Sequence, residues 1–343
     1  MTIQENVSLK AYSTMRLGGT ARYLAEAATQ ADIAELVDWA SDHDLACMVI
    51  GGGSNIVWRD EGYSGLLIVN KIPALEVVQE DDQTATVKIG AGENWDHAVA
   101  WAVDKNLSGI ETLSLIPGTA GATPVQNVEA YGQAIGDTLV HVEAFDVEKK
   151  EPVVISKQDC QLSYRHSRFK VADHGRFIIC SIVLHLRKSP MTPPFHRGLQ
   201  TYLDKNNITD FSPASIRQAV IAIRSAKLPD PASVANNGSF FKNPIVPHAQ
   251  FEDLAEKFPD ILNYPSKDDQ VKVSAQWLIE HAGFHAGYKD EATGMMLWPR
   301  HALVFVNEHA KSTADLLAFK QKIVDAVRAK FGITLEQEPE LLP

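Results

Sequence analysis

The stretch Cys47–Val57, CMVIGGGSNIV, sets three consecutive glycines and a Ser-Asn pair directly after a short apolar run. Backbone that lacks a Cβ brings main-chain amides close to a bulky anion, and the anion that suits such a cradle is a phosphate. A dinucleotide fingerprint would need Gly-x-Gly-x-x-Gly opening a helix, yet the sixth position counted from Gly51 is Ile56. The residues that follow, VWRDEGYSGLLIVN, carry no helical period. The stretch therefore reads as a loop between strands. Gly51, Gly52 and Gly53 supply positive φ and close approach, and Ser54 and Asn55 complete a pyrophosphate cradle. A bare glycine turn is the competing reading, and the stretch alone does not choose.

On the N-terminal side, QADIAELVDWASDHDL places Ile33, Leu36, Val37 and Ala40 on one helical face, with Thr29 and Asp32 spaced as a capping box. On the C-terminal side GLLIVN, ALEVVQ and TATVKIG are short, β-branched runs separated by turn residues, which predicts strands. A helix is expected in WDHAVAWAVDKNL, where Trp95, Ala98, Val99 and Ala102 share a face. Beyond it GIETLSLIPGTAGATPVQNVEAYG is too rich in Gly, Pro, Thr and Asn for a regular element and too apolar for disorder, the mark of a functional loop. Strands resume at LVHVEAFDV, PVVI and RFIICSIVLHLR, and KSPMTPPFHRG reads as a Pro-rich surface excursion. Ser212 and Pro213 open a further helix that ends before LPDP. Helices near SAQWLIEHAG and through TADLLAFKQKIVDAVRAKFG stop at Gly283 and Gly332, with the strand ALVFVN between them. The layout is α+β.

Length and charge narrow the function. At 343 residues the chain has room for two or three domains. A formal charge of −11 repels nucleic acid and anionic membrane, so an anionic ligand must be met by a local basic pocket. Cys47, Cys160 and Cys180 are odd in number and widely spaced, which fits reduced structural thiols, and neither they nor the twelve histidines show metal-ligand spacing. No metal is expected. The N-terminus lacks an apolar signal core and no run reaches spanning length, so a cytoplasmic protein is expected.

Four stretches must be explained together: GGGSN, AGENW at Ala91–Trp95, IPGTAGATPVQNVEAYG at Ile116–Gly132, and GSFFKNP at Gly238–Pro244. With YRHSRFK and AKLPDP they occur in the order that marks the UDP-N-acetylenolpyruvoylglucosamine reductase family, and the resemblance runs from about Ser13 to Glu338. It implies a vanillyl-alcohol-oxidase-type FAD-binding fold of two α/β subdomains plus a third α/β substrate-binding domain. The expected division is 1–71 and 72–228 for the FAD-binding subdomains, 229–331 for the substrate domain, and 332–343 for a tail returning to the active site. By the same resemblance Gly51 to Asn55 cradle the FAD pyrophosphate, and Pro117, Gly118, Gly121 and Ala122 belong to a loop packed along the flavin.

The resemblance also assigns side chains. Tyr164 and Arg165 match a Tyr-Arg pair, and an always-charged guanidinium suits a substrate carboxylate that gathers charge during reduction. From local sequence alone Arg165 reads equally as one surface cation in a basic run. Lys227 matches a lysine that meets the nucleotide diphosphate and NADPH, although a helix C-terminus favours lysine anyway. Ser239 matches the proton donor, with a turn hydroxyl as the bland reading. Asn243 matches a substrate-binding asparagine, and Tyr202 a tyrosine carried by an extra loop in the longer form of the enzyme. Glu338 matches a catalytic glutamate, but here Glu336, Glu338 and Glu340 crowd together and Pro339-Glu340 replaces the usual Val-Arg. Glu336 and a solvated acidic tail therefore stay open.

The implied chemistry is a hydride relay from NADPH through FAD to the methylene carbon of UDP-N-acetylglucosamine enolpyruvate. Arg165 and Glu338 steady the enolate and Ser239 protonates the adjacent carbon. The expected partners are that substrate and NADPH, with no nucleic acid and no membrane, and the chain is expected to be a monomer. A flavin oxidase of the same fold acting on an alcohol, and a nucleotide-binding module without catalysis, are the alternatives.

Overall fold

The computed structural model describes residues 2–266 and 268–343. The chain forms two compact units, one of the N-terminal residues up to Val7 with Ala21–Gly52 and Tyr63–Ser225, the other of Ser8–Thr20, Gly53–Gly62 and Ala226–Pro343.

The first unit holds a four-stranded and a five-stranded sheet, with a short two-stranded pairing of Glu129–Ala130 and Gln133–Ala134. In the four-stranded one the order is Gln4–Ser8, Thr20–Ala27, Tyr63–Asn70, Cys47–Ile50, and the last strand and Thr20–Ala27 both run parallel to Tyr63–Asn70. The central strand is buried at every position but Ser64, which is why its sequence is a continuous apolar run rather than an alternation. Helix Gln30–Asp42 buries the four expected residues, and its Thr29–Asp32 capping box is closed in both directions. The five-stranded sheet is antiparallel, in the order Glu151–Ser156, Leu139–Asp146, Phe177–Arg187, Thr84–Gly90, Leu75–Glu80. Helix Trp95–Asp104 packs Trp95, Ala98, Val99 and Ala102 into the same apolar cluster as Val87, Ile89, Ile182 and Leu184.

One element differs from the sequence reading. Tyr202 lies on a helix, Arg197–Lys205, and not on an irregular loop. Leu199 and Leu203 bury one face of that helix among Ile216, Val220 and Ile223 of helix Pro213–Lys227. Its nine residues follow a Pro-rich segment and offer only two buried anchors, too few for a clear period.

The second unit has a four-stranded sheet in the order Asn236–Ser239, His301–Asn307, Met295–Trp298, Lys289–Asp290. A three-stranded sheet, Ile245–Pro247, Gln270–Val273, Asn263–Tyr264, stands beside it. Helix Thr313–Phe331 lays Leu316, Phe319, Ile323 and Val327 into the core and ends at Gly332, whose φ of 67° makes the left-handed cap expected of glycine there. Helix His248–Lys257 was not legible in the sequence, because Leu254 is its one fully buried residue. The last residues are not a solvated tail. Leu335, Glu338 and Leu342 are buried, and Glu340–Leu342 pairs in parallel with Ile56–Trp58. Among the described residues no helix is long and apolar enough to cross a membrane, and no cluster of side chains has metal-holding geometry.

Candidate functional site

Within the first unit, the glycine loop meets the loop that begins at Ile116. A Cβ on Gly51 would lie 2.1 Å from Thr119 Oγ1, and one on Gly52 would lie 3.0 Å from Gly118 Cα. Positive φ was expected at all three glycines, yet only Gly53 has it, at 68°. Gly51 and Gly52 are glycines because neighbouring atoms fill the space a side chain needs, a tertiary constraint with no local signature. The AGENW and IPGTAG motifs prove to be one hydrogen-bonded unit. Gly121 N–H donates to Ala91 C=O (3.0 Å), Ala120 N–H to Glu93 C=O (2.9 Å), and Trp95 N–H to Gly118 C=O (3.1 Å). Gly121 must be small, since its Cβ would sit 2.5 Å from that of Ala91. Ala122 closes the 3₁₀ turn Ala120–Ala122, and Pro117 leads into the paired stretch.

The same unit carries three groups that sequence reasoning missed. Glu111 is fully buried, and its carboxylate accepts from Ser108 Oγ (2.5 Å), Gly109 N–H (2.5 Å) and Gln133 Nε2 (3.2 Å), which compensates its burial and ties Ser108 and Gly109 to Gln133. Asp96 takes both Nη groups of Arg217, at 2.6 and 2.9 Å. Arg224 donates from Nη2 to Leu115 C=O (3.3 Å), while its Nε is buried without a hydrogen-bond partner. Burial weakens the hold of Arg224 on its proton, and Tyr131 and Asp96 oppose that effect. None of these has a sequence motif of its own; each acquires meaning from what packs beside it.

Tyr164 and Arg165 are the two central residues of a tight turn closed by Ser163 and His166, which exchange backbone hydrogen bonds at 3.1 Å. Arg165 is held at φ 53°, an unusual backbone for a non-glycine residue, with its guanidinium 5.2 Å from the Tyr164 ring centroid. Tyr202 is half-buried against the cluster that joins its helix to Pro213–Lys227.

In the second unit the glycine loop continues. Gly53 C=O accepts from Thr14 N–H (3.1 Å) and Asn55 C=O from Glu340 N–H (2.9 Å), while the carbonyls of Ser54 and Ile56 accept from Asn237 Nδ2 at 3.3 and 3.1 Å. Four successive carbonyl oxygens are thus turned to protein partners, so none of these remains to repel an anion. Asn237 lies two residues before Ser239; its Nδ2 also reaches Thr14 Oγ1 (3.1 Å), and its buried Oδ1 has no hydrogen-bond partner. Ser239 ends the strand Asn236–Ser239, paired with Val304. Phe240 and Phe241 anchor it in the core, Phe240 stacked on Phe305 with centroids 4.3 Å apart. The C-terminal segment runs antiparallel beside this anchor: Lys242 N–H donates to Glu336 C=O, Phe241 bridges Gln337, and Glu338 N–H donates to Phe240 C=O. Glu338 is 8% exposed, whereas the Glu336 side chain is 72% exposed and pairs with Lys242.

Lys227 is exposed at the end of its helix, where Trp298 Nε1 donates to its carbonyl (3.0 Å). The 283–300 region, unassigned from sequence, forms the hairpin that brings Trp298 there. His301 follows; burial and then the charge of Lys227 push its imidazole down to about 4. Asn243 commits its amide oxygen to Ala275 N–H (2.9 Å), capping helix Ala275–His281, so a ligand would meet its NH₂ group.

In the first unit the glycine-only contacts and the unpartnered Arg224 Nε–H, and in the second the carbonyls already engaged by protein donors, each suit an anionic ligand such as the pyrophosphate of a flavin dinucleotide. Comparison with known proteins agrees. Residues 21–150 match the FAD binding domain family, and residues 230–342 match the C-terminal domain of UDP-N-acetylenolpyruvoylglucosamine reductase. Over 340 residues the chain is 39% identical to UDP-N-acetylenolpyruvoylglucosamine reductase of Burkholderia orbicola, an overlap of 97% of this chain and 95% of that one. The enzyme of that name from Pseudomonas aeruginosa is 36% identical over 341 residues, 99% of each chain. Among solved structures, UDP-N-acetylenolpyruvylglucosamine reductase of Thermus caldophilus aligns over 100% of both chains with a TM-score of 0.69 at 22% identity, which shows a shared fold.

Proposed function

Because the chain belongs to the UDP-N-acetylenolpyruvoylglucosamine reductase family, we propose that it reduces UDP-N-acetylglucosamine enolpyruvate to UDP-N-acetylmuramate with NADPH, as an FAD-containing oxidoreductase of peptidoglycan precursor synthesis. FAD held by the chain would supply the hydride chemistry, linking oxidation of NADPH to reduction of the substrate at its methylene carbon. In this reading Gly51, Gly52, Gly53, Ser54 and Asn55 hold the pyrophosphate, and the loop carrying Pro117, Gly118, Gly121 and Ala122 holds the flavin.

The protein's own residues then handle charge and proton. Arg165 forks onto the enolpyruvyl carboxylate and stabilises the negative charge that builds there as hydride adds. Ser239 donates its hydroxyl proton to the carbon beside the methylene, which completes the lactyl ether, and Glu338 orients that exchange. Lys227 meets the nucleotide diphosphate and NADPH, Tyr202 covers the bound nucleotide, and Tyr164 and Asn243 bind the substrate. The observation that supports these roles is the antiparallel pairing of the C-terminal segment with Phe240–Lys242, which bonds the backbone of the buried Glu338 to Phe240, the residue after the proposed donor. The division at 71, 228 and 331, a monomeric state, a cytoplasmic location and the lack of nucleic-acid or membrane partners belong to the same proposal.

The test is whether oxidation of NADPH by the purified yellow protein depends on enolpyruvyl-UDP-N-acetylglucosamine, and dependence is the expected result. Oxygen consumption driven by an alcohol, without need for that substrate, would replace this reading with the oxidase. A colourless protein that binds nucleotide without turnover would replace it with the binding module.

A further inference from the structure

We infer that Asp96 is a positioning residue for the flavin loop: it holds Leu115 in a left-handed backbone conformation and so fixes where Pro117–Gly121 stands against Gly51 and Gly52.

The pairing of 91–95 with 118–121 stops at Trp95, where the backbone turns into helix Trp95–Asp104. One further contact comes from a side chain. Asp96 Oδ1 accepts the N–H of Leu115 at 2.5 Å, two residues before Pro117. Leu115 has φ 59° and is 39% exposed, so neither its backbone preference nor burial of its side chain holds it there. Such a conformation persists when its surroundings over-determine it, and here both faces of the residue are gripped. Asp96 holds the N–H, and Arg224 holds the C=O at 3.3 Å.

Asp96 is itself fixed by the fork of Arg217, with side chains 28% and 15% exposed, so its carboxylate cannot swing away without leaving a half-buried cation unpaired. Burial alone would raise the Asp96 carboxyl, but hydrogen bonds from Arg217 and the Leu115 N–H, with the charges of Arg217 and Arg224, hold it below its ordinary value. The carboxylate form is therefore the one present at neutral pH. Release of Leu115 to ordinary φ would rotate the chain entering Pro117–Gly118, where Gly118 Cα stands only 3.0 Å from the Cβ position of Gly52.

This inference rests on the reading that the Pro117–Ala122 loop holds FAD. Apoprotein of the parent, Asp96→Ala, Leu115→Gly, the double variant and Gly52→Val would be titrated with FAD by fluorescence quenching, with apoprotein melting temperature and the visible circular dichroism of bound flavin as companion readouts. The expected result is at least roughly tenfold weaker FAD binding and an altered flavin dichroism in Asp96→Ala, while the apoprotein melts within a few degrees of the parent. Leu115→Gly in the Asp96→Ala background should recover a large part of the affinity, because glycine adopts positive φ without the carboxylate's help. A purely structural ion pair would show no such rescue. Parent-like FAD affinity in Asp96→Ala, or loss without rescue by glycine, overturns the inference. Gly52→Val separates the two levels: if it binds FAD like the parent, the cradle reading itself is wrong, and if it loses FAD while Asp96→Ala does not, only the positioning role is.

Discussion

The backbone N–H of Glu338 donates to the carbonyl of Phe240 at 2.9 Å, which fixes the C-terminal segment one residue beyond Ser239. Phe240 has no freedom to move from that register, being fully buried and stacked on Phe305. Glu336 and Glu338, two residues apart on the paired segment, differ sharply in exposure. This leads to a direct comparison. Glu338→Gln should lower kcat by at least about a hundredfold, the usual scale for a positioned acid–base group. Glu336→Gln, which removes an exposed pair with Lys242, should leave kcat within a few-fold. Steady-state rates of the two variants, each checked for FAD content, decide between the carboxylates.

Ser239→Ala separates the two half-reactions. The proposed proton goes to substrate, so bleaching of the flavin by NADPH should proceed at nearly the parent rate. Reoxidation by enolpyruvyl-UDP-N-acetylglucosamine should slow by about 10²–10⁴-fold. Rapid-mixing absorbance follows each stage; reoxidation within a few-fold of the parent would mean that Ser239 is only a strand end.

The cradle can be probed through steric rescue. Gly51→Ala should weaken FAD binding because the new methyl meets Thr119 Oγ1 at 2.1 Å. Adding Thr119→Ala removes that oxygen and should restore part of the affinity. Gly53 is a poorer probe of phosphate contact, since a Cβ there would lie 2.3 Å from Tyr12 O and the backbone is at φ 68°, so a side chain is strained there for reasons of its own. Fluorescence titration of the three apoproteins is the measurement.

Tyr202→Ala should raise the Michaelis constant for the nucleotide substrate by roughly tenfold and leave FAD content unchanged, on the reading that this side chain meets ligand rather than cofactor. An unchanged constant would assign the tyrosine to the packing of its helix on Pro213–Lys227.

His301 gives a pH signature. Its folded value, about 4, lies below the ordinary 6.5, so as pH falls the unfolded chain takes up this proton before the folded one does. The stabilising contribution is complete above pH 6.5 and is lost as the pH falls through 4. His301→Gln should flatten that part of the acid limb, read as the urea midpoint at a series of pH values.

Much of this protein was written locally. The Thr29–Asp32 capping box, the four-residue face Ile33–Leu36–Val37–Ala40, the buried run Tyr63–Asn70 and the left-handed stop at Gly332 follow from helix, strand and glycine physics acting over a few residues. The ordered motifs also pointed to a flavin fold and to the residues worth testing. Helix His248–Lys257 escaped because one buried leucine makes no period, and Arg197–Lys205 because two do little better. What only the tertiary structure decided are relations between distant segments. Gly51 needs to be glycine because of Thr119, Leu115 keeps its backbone because of Asp96 and Arg224, and Glu338 is buried rather than solvated because the last residues pair with Ile56–Trp58 and with the Phe240 anchor. The physical reason is common to all three: excluded volume and buried hydrogen bonds act between atoms that are near in space, and the chain brings them together from positions 19 to nearly 300 residues apart in sequence, beyond the reach of any local pattern.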